Sequence, residues 1–272
     1  MKIYNDLSNA EYRARKDFLS SSDVKAILEN PFLFKNGGKV KESESLSLGS
    51  LIHTLILEPE NLQRDFLEMP PLNLRTNEGK EKKAILENQA LSENKTLITS
   101  EMLEKATKCV EAFKKTSIYN LFKESGRAEL SIFSKIDDMP CKCRPDYFID
   151  SKNIILDLKT TNIQGGASAD AFVRAVANYK YYIQAAFYLE LTRAKEFYFV
   201  VIETNEPYMV GVYKLDETSL NFGLNEIKRA FNIYKDLANF KENIYLDIES
   251  DYKKVQEITL PNYVYYQKGA SY

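Results

Sequence analysis

No apolar run in this sequence is long enough to span a bilayer, and the opening Met1-Lys2-Ile3-Tyr4-Asn5-Asp6 holds no hydrophobic stretch of the signal-peptide kind. The expectation is a cytoplasmic protein with no membrane contact. Cysteine is scarce. Cys109, Cys141 and Cys143 form an odd set of three, so a disulfide framework is excluded and buried thiols in a reducing compartment are expected. An excess of positive charge is missing too: 37 Lys and Arg stand against 39 Asp and Glu, for a net charge of −2. Such a chain does not coat nucleic acid by charge alone, although a basic channel can sit on an acidic body. Tryptophan is absent, and there is no internal repeat or low-complexity tract.

What is present suits one large α/β domain. The 272 residues are 44% hydrophobic, enough for a sizeable core. Residues 1–125 read as mainly helical, 126–215 as a sheet core, and 216–272 as a helix followed by an extended tail. Ser20-Ser21-Ser22-Asp23 cap an apolar helix that Asn30-Pro31 stops. Charged residues 35–45 read as a loop, 46–57 as an apolar helix, and 66–80 as irregular chain near a site. Residues 81–89 and 100–115 read as helices, the second with Ser100 as its cap. Period-two alternation then predicts strands over 128–134, 140–149 and 153–159. A long helix runs to Ala194, strands follow over 197–204 and 209–215, and a helix covers 216–240, frayed near Gly223. A helical crossover between the third and fourth strands makes a mixed sheet of about five strands.

The stretch Cys141–Thr161 carries the chemistry. Alternation along a strand puts Asp157 and Lys159 on one face and Leu158 on the other. This places a carboxylate and an amine side by side at a strand end, with Asp146 offered by the strand before and Glu129 by the one before that. Two anions can hold a hard divalent cation, with the Leu158 carbonyl as a further oxygen. Lys159 can position or deprotonate a water, or stabilise charge on a phosphate. Gln184 and Tyr188, four apart, share a helical face. His53 is the only histidine and lies among Leu51, Ile52, Leu55 and Ile56, where a core role and a metal role are both open.

Taken together, Glu129, Pro145-Asp146, Asp157-Leu158-Lys159 and Gln184-x-x-x-Tyr188 resemble the PD-(D/E)xK nuclease superfamily. Gly49-Ser50-Leu51-Ile52-His53-Thr54 is similar to the histidine motif of its RecB-like branch. Leu19 to Lys25, Asn30 to Lys35, and Ile258 to Tyr263 resemble the RecE-type (exonuclease VIII-like) phage and prophage recombination exonucleases, many of which have tryptophan at the place of Tyr263.

The resemblance implies a Mg2+-dependent exonuclease, with Mn2+ as a substitute, that degrades one strand of linear duplex DNA from its 5′ end. It implies His53, Asp146, Asp157 and the Leu158 carbonyl as metal ligands. Lys159 is then the catalytic lysine, Gln184 and Tyr188 support the site, and Glu129 is an outer carboxylate or a ligand to a second metal. A RecT-type annealing protein as partner and a ring-shaped oligomer, taken as a tetramer, go with it. No cysteine follows Cys143, so the iron–sulfur cluster of some relatives is not expected. Ser20, Ser21, Ser22, Arg75 and Thr76 are candidates for gripping a 5′-phosphate. Lys80, with Lys82 and Lys83, and a second group of Lys25, Lys35, Lys39 and Lys41, are candidates for DNA contacts. The alternatives are a structure-specific or restriction-type endonuclease on the same core, and a catalytically silent DNA-binding subunit.

Overall fold

Residues 154–161, Ile-Ile-Leu-Asp-Leu-Lys-Thr-Thr, contain no Gly or Pro and are apolar on both faces at their start, as a strand covered from both sides must be. In the computed structural model, which describes residues 1–35, 44–239 and Thr259, this strand lies at the centre of a five-stranded mixed sheet. The elements in chain order are β1 (Lys2–Tyr4), α1 (Asn9–Ala14), α2 (Ser21–Glu29), α3 (Pro31–Lys35), α4 (Glu44–Leu57), α5 (Leu62–Asp65), β2 (Phe66–Met69), α6 (Asn77–Ser92), β3 (Thr96–Thr99) and α7 (Ser100–Lys114). There follow α8 (Tyr119–Phe122), β4 (Arg127–Ala128), β5 (Ser131–Ile136), β6 (Met139–Cys143), β7 (Tyr147–Ile149), β8 (Ile154–Thr161), α9 (Ala169–Asn178), α10 (Tyr181–Thr192), β9 (Glu196–Glu203), β10 (Val210–Tyr213) and α11 (Glu217–Asn239).

The main sheet runs β10-β9-β8-β7-β4; only β8 and β9 are parallel, joined by the α9–α10 crossover. A small sheet, β1-β5-β6, and a parallel pair, β2-β3, complete the strands among the described residues. The side-chain alternation of β8 and β9 divides the core. Ile155, Phe197, Phe199 and Val201 pack with α2, α10 and α11 on one side. Leu158, Val200 and Ile202 pack with α4 and α7 on the other, around Leu51, Ile52 and Phe113. Cys109, Cys141 and Cys143 are free and buried. No helix among the described residues is long and apolar enough to cross a membrane.

Several local expectations need correction. The expected strand 140–149 is two strands in two sheets, β6 and β7, separated at Arg144–Asp146. The run 128–134 splits likewise, because Glu129 adopts a left-handed backbone (φ 48°) that breaks the alternation and turns the chain from one sheet into the other. Asp157 is the fourth of eight residues in β8, not a strand end. The helix expected to run to Ala194 breaks at Lys180 (φ 52°) into α9 and α10. Thr99, not Ser100, caps α7, its hydroxyl accepting from the Met102 N–H at 3.1 Å. Residues 66–80 are not all irregular: they hold β2 and the start of α6.

Gly223 lies inside an unbroken α11 rather than at a frayed point. A Cβ there would stand 2.6 Å from the Tyr182 carbonyl oxygen, so glycine is what lets α11 close on α10. Helix α2 forms as expected, with a reciprocal capping box between Ser20 and Asp23. Of the expected loop over 35–45, Lys35 ends α3 and Glu44 and Ser45 begin α4, while 36–43, with Lys39 and Lys41, and the tail match over Ile258–Tyr263, Thr259 apart, lie outside the described residues.

Candidate active site

The site is assembled by β8. Asp157 and Lys159 share the face toward α10, and the Lys159 ammonium pairs with Asp157 Oδ2. From α10, Gln184 Nε2 donates to Asp157 Oδ1 at 2.7 Å. Asp157 is only 1% exposed, and Oδ2 has no hydrogen-bond partner beyond that ion pair. Asp146 sits in the bend before β7. Pairing of β7 with β8 ends at Tyr147–Leu156, so the Leu158 N–H lacks a backbone acceptor there; Asp146 Oδ2 accepts it at 2.6 Å. Glu129 comes alongside through its own N–H, which donates to the Asp146 carbonyl at 3.1 Å.

Helix α4 brings His53 from the other side, with Nδ1 3.7 Å from Asp146 Oδ2. Ligand atoms of His53, Glu129 and Asp146 all lie within 4.8 Å of one another. Tyr188 acts one step back: its hydroxyl donates to the Arg144 carbonyl at 3.3 Å, steadying the corner that leads to Asp146. The same corner is held by the Arg144 guanidinium, which donates to Ser131 Oγ at 2.6 Å and to the Leu7 carbonyl at 2.7 Å.

Electrostatics mark this cluster as short of positive charge. Burial pushes the Glu129 carboxyl up to about 8, helped by the neighbouring Asp146 charge. Burial likewise lifts Asp157 to about 6 against the pull of Lys159, and it raises Asp146. Burial also opposes the charge on Lys159, but Asp157 and Asp146 together hold its ammonium above the usual lysine value. Burial and the Lys159 charge depress the His53 imidazole to about 4, leaving it neutral and able to ligate. The cluster thus holds three carboxylates and one ammonium, and the buried Asp157 Oδ2 has no hydrogen-bond partner besides that ammonium. That donor set fits a divalent cation, which His53, Glu129 and Asp146 would hold.

The cluster opens into a cleft of about 940 Å3 lined by His53, Glu129, Leu158, Lys159, Tyr179 and Tyr181, among others. The phosphate-gripping candidates are not brought to it. The Ser20 hydroxyl accepts from the Asp23 N–H, Ser21 is buried, and Ser22 points outward from α2. Thr76 Oγ1 caps α6, accepting from Gly79 N at 3.1 Å, and Arg75 and Lys80 are exposed beside it. Short hydroxyl residues ahead of a helix go to its free N–H groups before any ligand. None of these six residues lines the cleft.

Lys25 does reach the site's edge, with Nζ 5.3 Å from the Tyr181 ring centroid; burial lowers its amine to about 8. Arg64 and Lys105 line the cleft and stand out in no sequence pattern.

No curated protein matches the sequence. A structure from Eubacterium rectale, provisionally described as an exonuclease, is 13% identical with a TM-score of 0.58, covering 97% of this chain and 99% of its own. That likeness shows a shared fold. A phage-related exonuclease from Haemophilus somnus (11% identity, TM-score 0.38, 81% and 95% coverage) and an alkaline exonuclease from Laribacter hongkongensis (11%, 0.38, 90% and 99%) also align. A family model described as a PDDEXK-like domain of unknown function (DUF3799) matches residues 20–244, a span that holds every side chain of the buried cluster, and the chain belongs to that family.

Proposed function

We propose that this chain is a cytoplasmic, Mg2+-dependent exodeoxyribonuclease that degrades linear duplex DNA from the 5′ end. On this reading it leaves 3′ single-stranded tails for a RecT-type annealing protein, and it works as a ring-shaped oligomer, taken as a tetramer. The observation that carries hydrolysis is the buried Asp157–Lys159 pair, oriented by Gln184 and set beside His53, Glu129 and Asp146 in an open cleft. Exonucleolytic polarity, the annealing partner and the oligomer rest on the resemblance of Leu19–Lys25 and Asn30–Lys35 to RecE-type enzymes.

The chain's own groups divide the work. Lys159, held charged by two carboxylates, can hold the attacking water at Nζ or donate to a phosphate oxygen as negative charge grows. Gln184 fixes Asp157, and Asp157 fixes the Lys159 ammonium, so its donor direction is set before substrate arrives. Tyr188 and Arg144 keep Asp146 at the entry to β7. When bound, a divalent cation supplies Lewis-acid charge at the scissile phosphate.

Two experiments test this. Duplexes labelled at either the 5′ or the 3′ end, incubated with Mg2+, should lose the 5′ label first as small products, while a covalently closed circle stays intact. Early loss of the 3′ label would reverse the polarity, and nicking of the circle would make the enzyme an endonuclease. The second reads metal binding against pH. Glu129 titrates near 8 and Asp157 near 6, both above the ordinary carboxyl range, so protons compete with a cation at neutral pH.

Mn2+ affinity measured by titration calorimetry should therefore rise from pH 6 to pH 8, with proton release, by roughly tenfold per unit for each proton displaced. Glu129→Gln should flatten the upper part of that rise; a pH-independent affinity would contradict it. In the metal-free protein the linkage has the opposite sense. A carboxyl raised above its unfolded value favours the fold when protonated, so the Glu129 contribution is full below about 4.5 and is lost as pH climbs through about 8.

A further inference from the structure

The cleft contains a feature that the metal cluster leaves unused: a ladder of aromatic rings that ends in the open beside the catalytic lysine. Its base is Tyr213, stacked on the buried Phe172 (centroids 5.1 Å apart, planes at 20°). Phe172 stacks in turn on Tyr181 (6.1 Å, 28°), and Tyr181 on Tyr179 (5.4 Å, 30°). Tyr181 is pinned by two ammonium groups, Lys159 Nζ at 4.9 Å and Lys25 Nζ at 5.3 Å from its centroid. Tyr179, the last ring, is 61% exposed and lines the cleft.

Continuous helix cannot build this stack. Residues two apart on an α-helix point to different sides, so Tyr179 and Tyr181 meet only because Lys180 between them is left-handed (φ 52°) and ends α9 before α10 begins. Lysine gains nothing intrinsic from that conformation, and such strain persists only where the surroundings hold it. The product is a rigid, solvent-facing π-surface one ring away from the Lys159 ammonium. A planar base attached to a phosphate matches both parts at once.

We propose that Tyr179 and Tyr181 form a stacking platform for an unpaired nucleobase next to the scissile phosphate. This deepens the nuclease reading, on which it rests: the base leaves its partner in the duplex, stacks on Tyr179, and thereby sets its phosphate near Lys159. Base–aromatic stacking of this kind changes binding by roughly 5- to 150-fold.

The test uses Tyr179→Ala and Tyr179→Trp, both at an exposed position outside the acidic cluster. The probe is a partly unpaired DNA end carrying 2-aminopurine in the unpaired strand, bound with Ca2+ in place of Mg2+, beside the same end with an abasic site there. Wild type and Tyr179→Trp should quench 2-aminopurine. Tyr179→Ala should lose the quench and bind the base-bearing end about tenfold more weakly, with its affinity for the abasic end unchanged.

Equal weakening on both probes, or no weakening on either, overturns the platform. The nuclease reading is judged separately by cleavage in Mg2+. If wild type cleaves while Tyr179→Ala matches it on both probes, only the platform falls. If wild type cuts no DNA yet shows a Tyr179-dependent quench, only hydrolysis falls. If it neither cuts nor binds, both fall.

Discussion

Asp157→Asn is expected to reduce DNA hydrolysis by at least about 10²- to 10³-fold while the metal-free protein melts no earlier than wild type. The two halves of that result share one cause. Asp157 is buried and crowded by Asp146 and Glu129, so its charge is costly to keep: burial has already lifted its carboxyl to about 6. Asparagine has the same shape and can still accept from Gln184 through its carbonyl. It removes one of three carboxylates that outnumber their ammonium, relieving the burial and like-charge cost that raises the Asp157 carboxyl. On the proposed reading, catalysis loses the anion that pairs with Lys159. A residue kept at a cost to stability is the mark of a working site. Retention of full activity would refute the assignment.

Phe113→Ala carries the largest expected stability loss, about 3–5 kcal/mol. Phe113 is completely buried in α7, edge-on to Tyr119 at 5.4 Å and to Phe122 at 5.1 Å. It fills the core between α7, α4 and the far face of the main sheet, where Leu51, Ile52 and Leu158 also pack. These neighbours come from separate elements and cannot all collapse into the space, so most of the cavity persists. The measurement is urea unfolding followed by circular dichroism. Because α4 positions His53, the same substitution should weaken Mn2+ binding at temperatures where the protein is still folded. A loss under about 1 kcal/mol would show that the α4–α7 core repacks freely.

The site was legible where one local rule governs geometry. Period-two alternation alone put Asp157 and Lys159 on one face of β8, and helical spacing put Gln184 and Tyr188 on one face of α10. The Ser20 cap needs only four consecutive residues, and it formed. Illegible parts depend on contacts distant in sequence. Glu129 reaches Asp146 through a left-handed turn between two sheets, and nothing about Ala128-Glu129-Leu130 demands one.

Lys180 is equally ordinary in sequence, and no pattern sets apart Tyr179 and Tyr181, which line the cleft. His53 read as core or ligand, since the choice turns on whether α4 packs beside the sheet end. The serine cluster and Thr76 lie off the cleft, and sequence could not tell so because a good phosphate donor is also a good helix cap; capping takes the hydroxyls of Ser20 and Thr76.

The most direct test of the central claim, metal-dependent hydrolysis of linear DNA at the Asp157–Lys159 cleft, is release of acid-soluble nucleotide by wild type and Asp157→Asn. The two proteins would be compared on linear duplex and on a covalently closed circle, with Mg2+ and with EDTA. The account predicts rapid release by wild type from the linear form in Mg2+ alone, an intact circle, and release by Asp157→Asn lower by at least about 10²- to 10³-fold. Digestion in EDTA, or wild-type rates from Asp157→Asn, would contradict it.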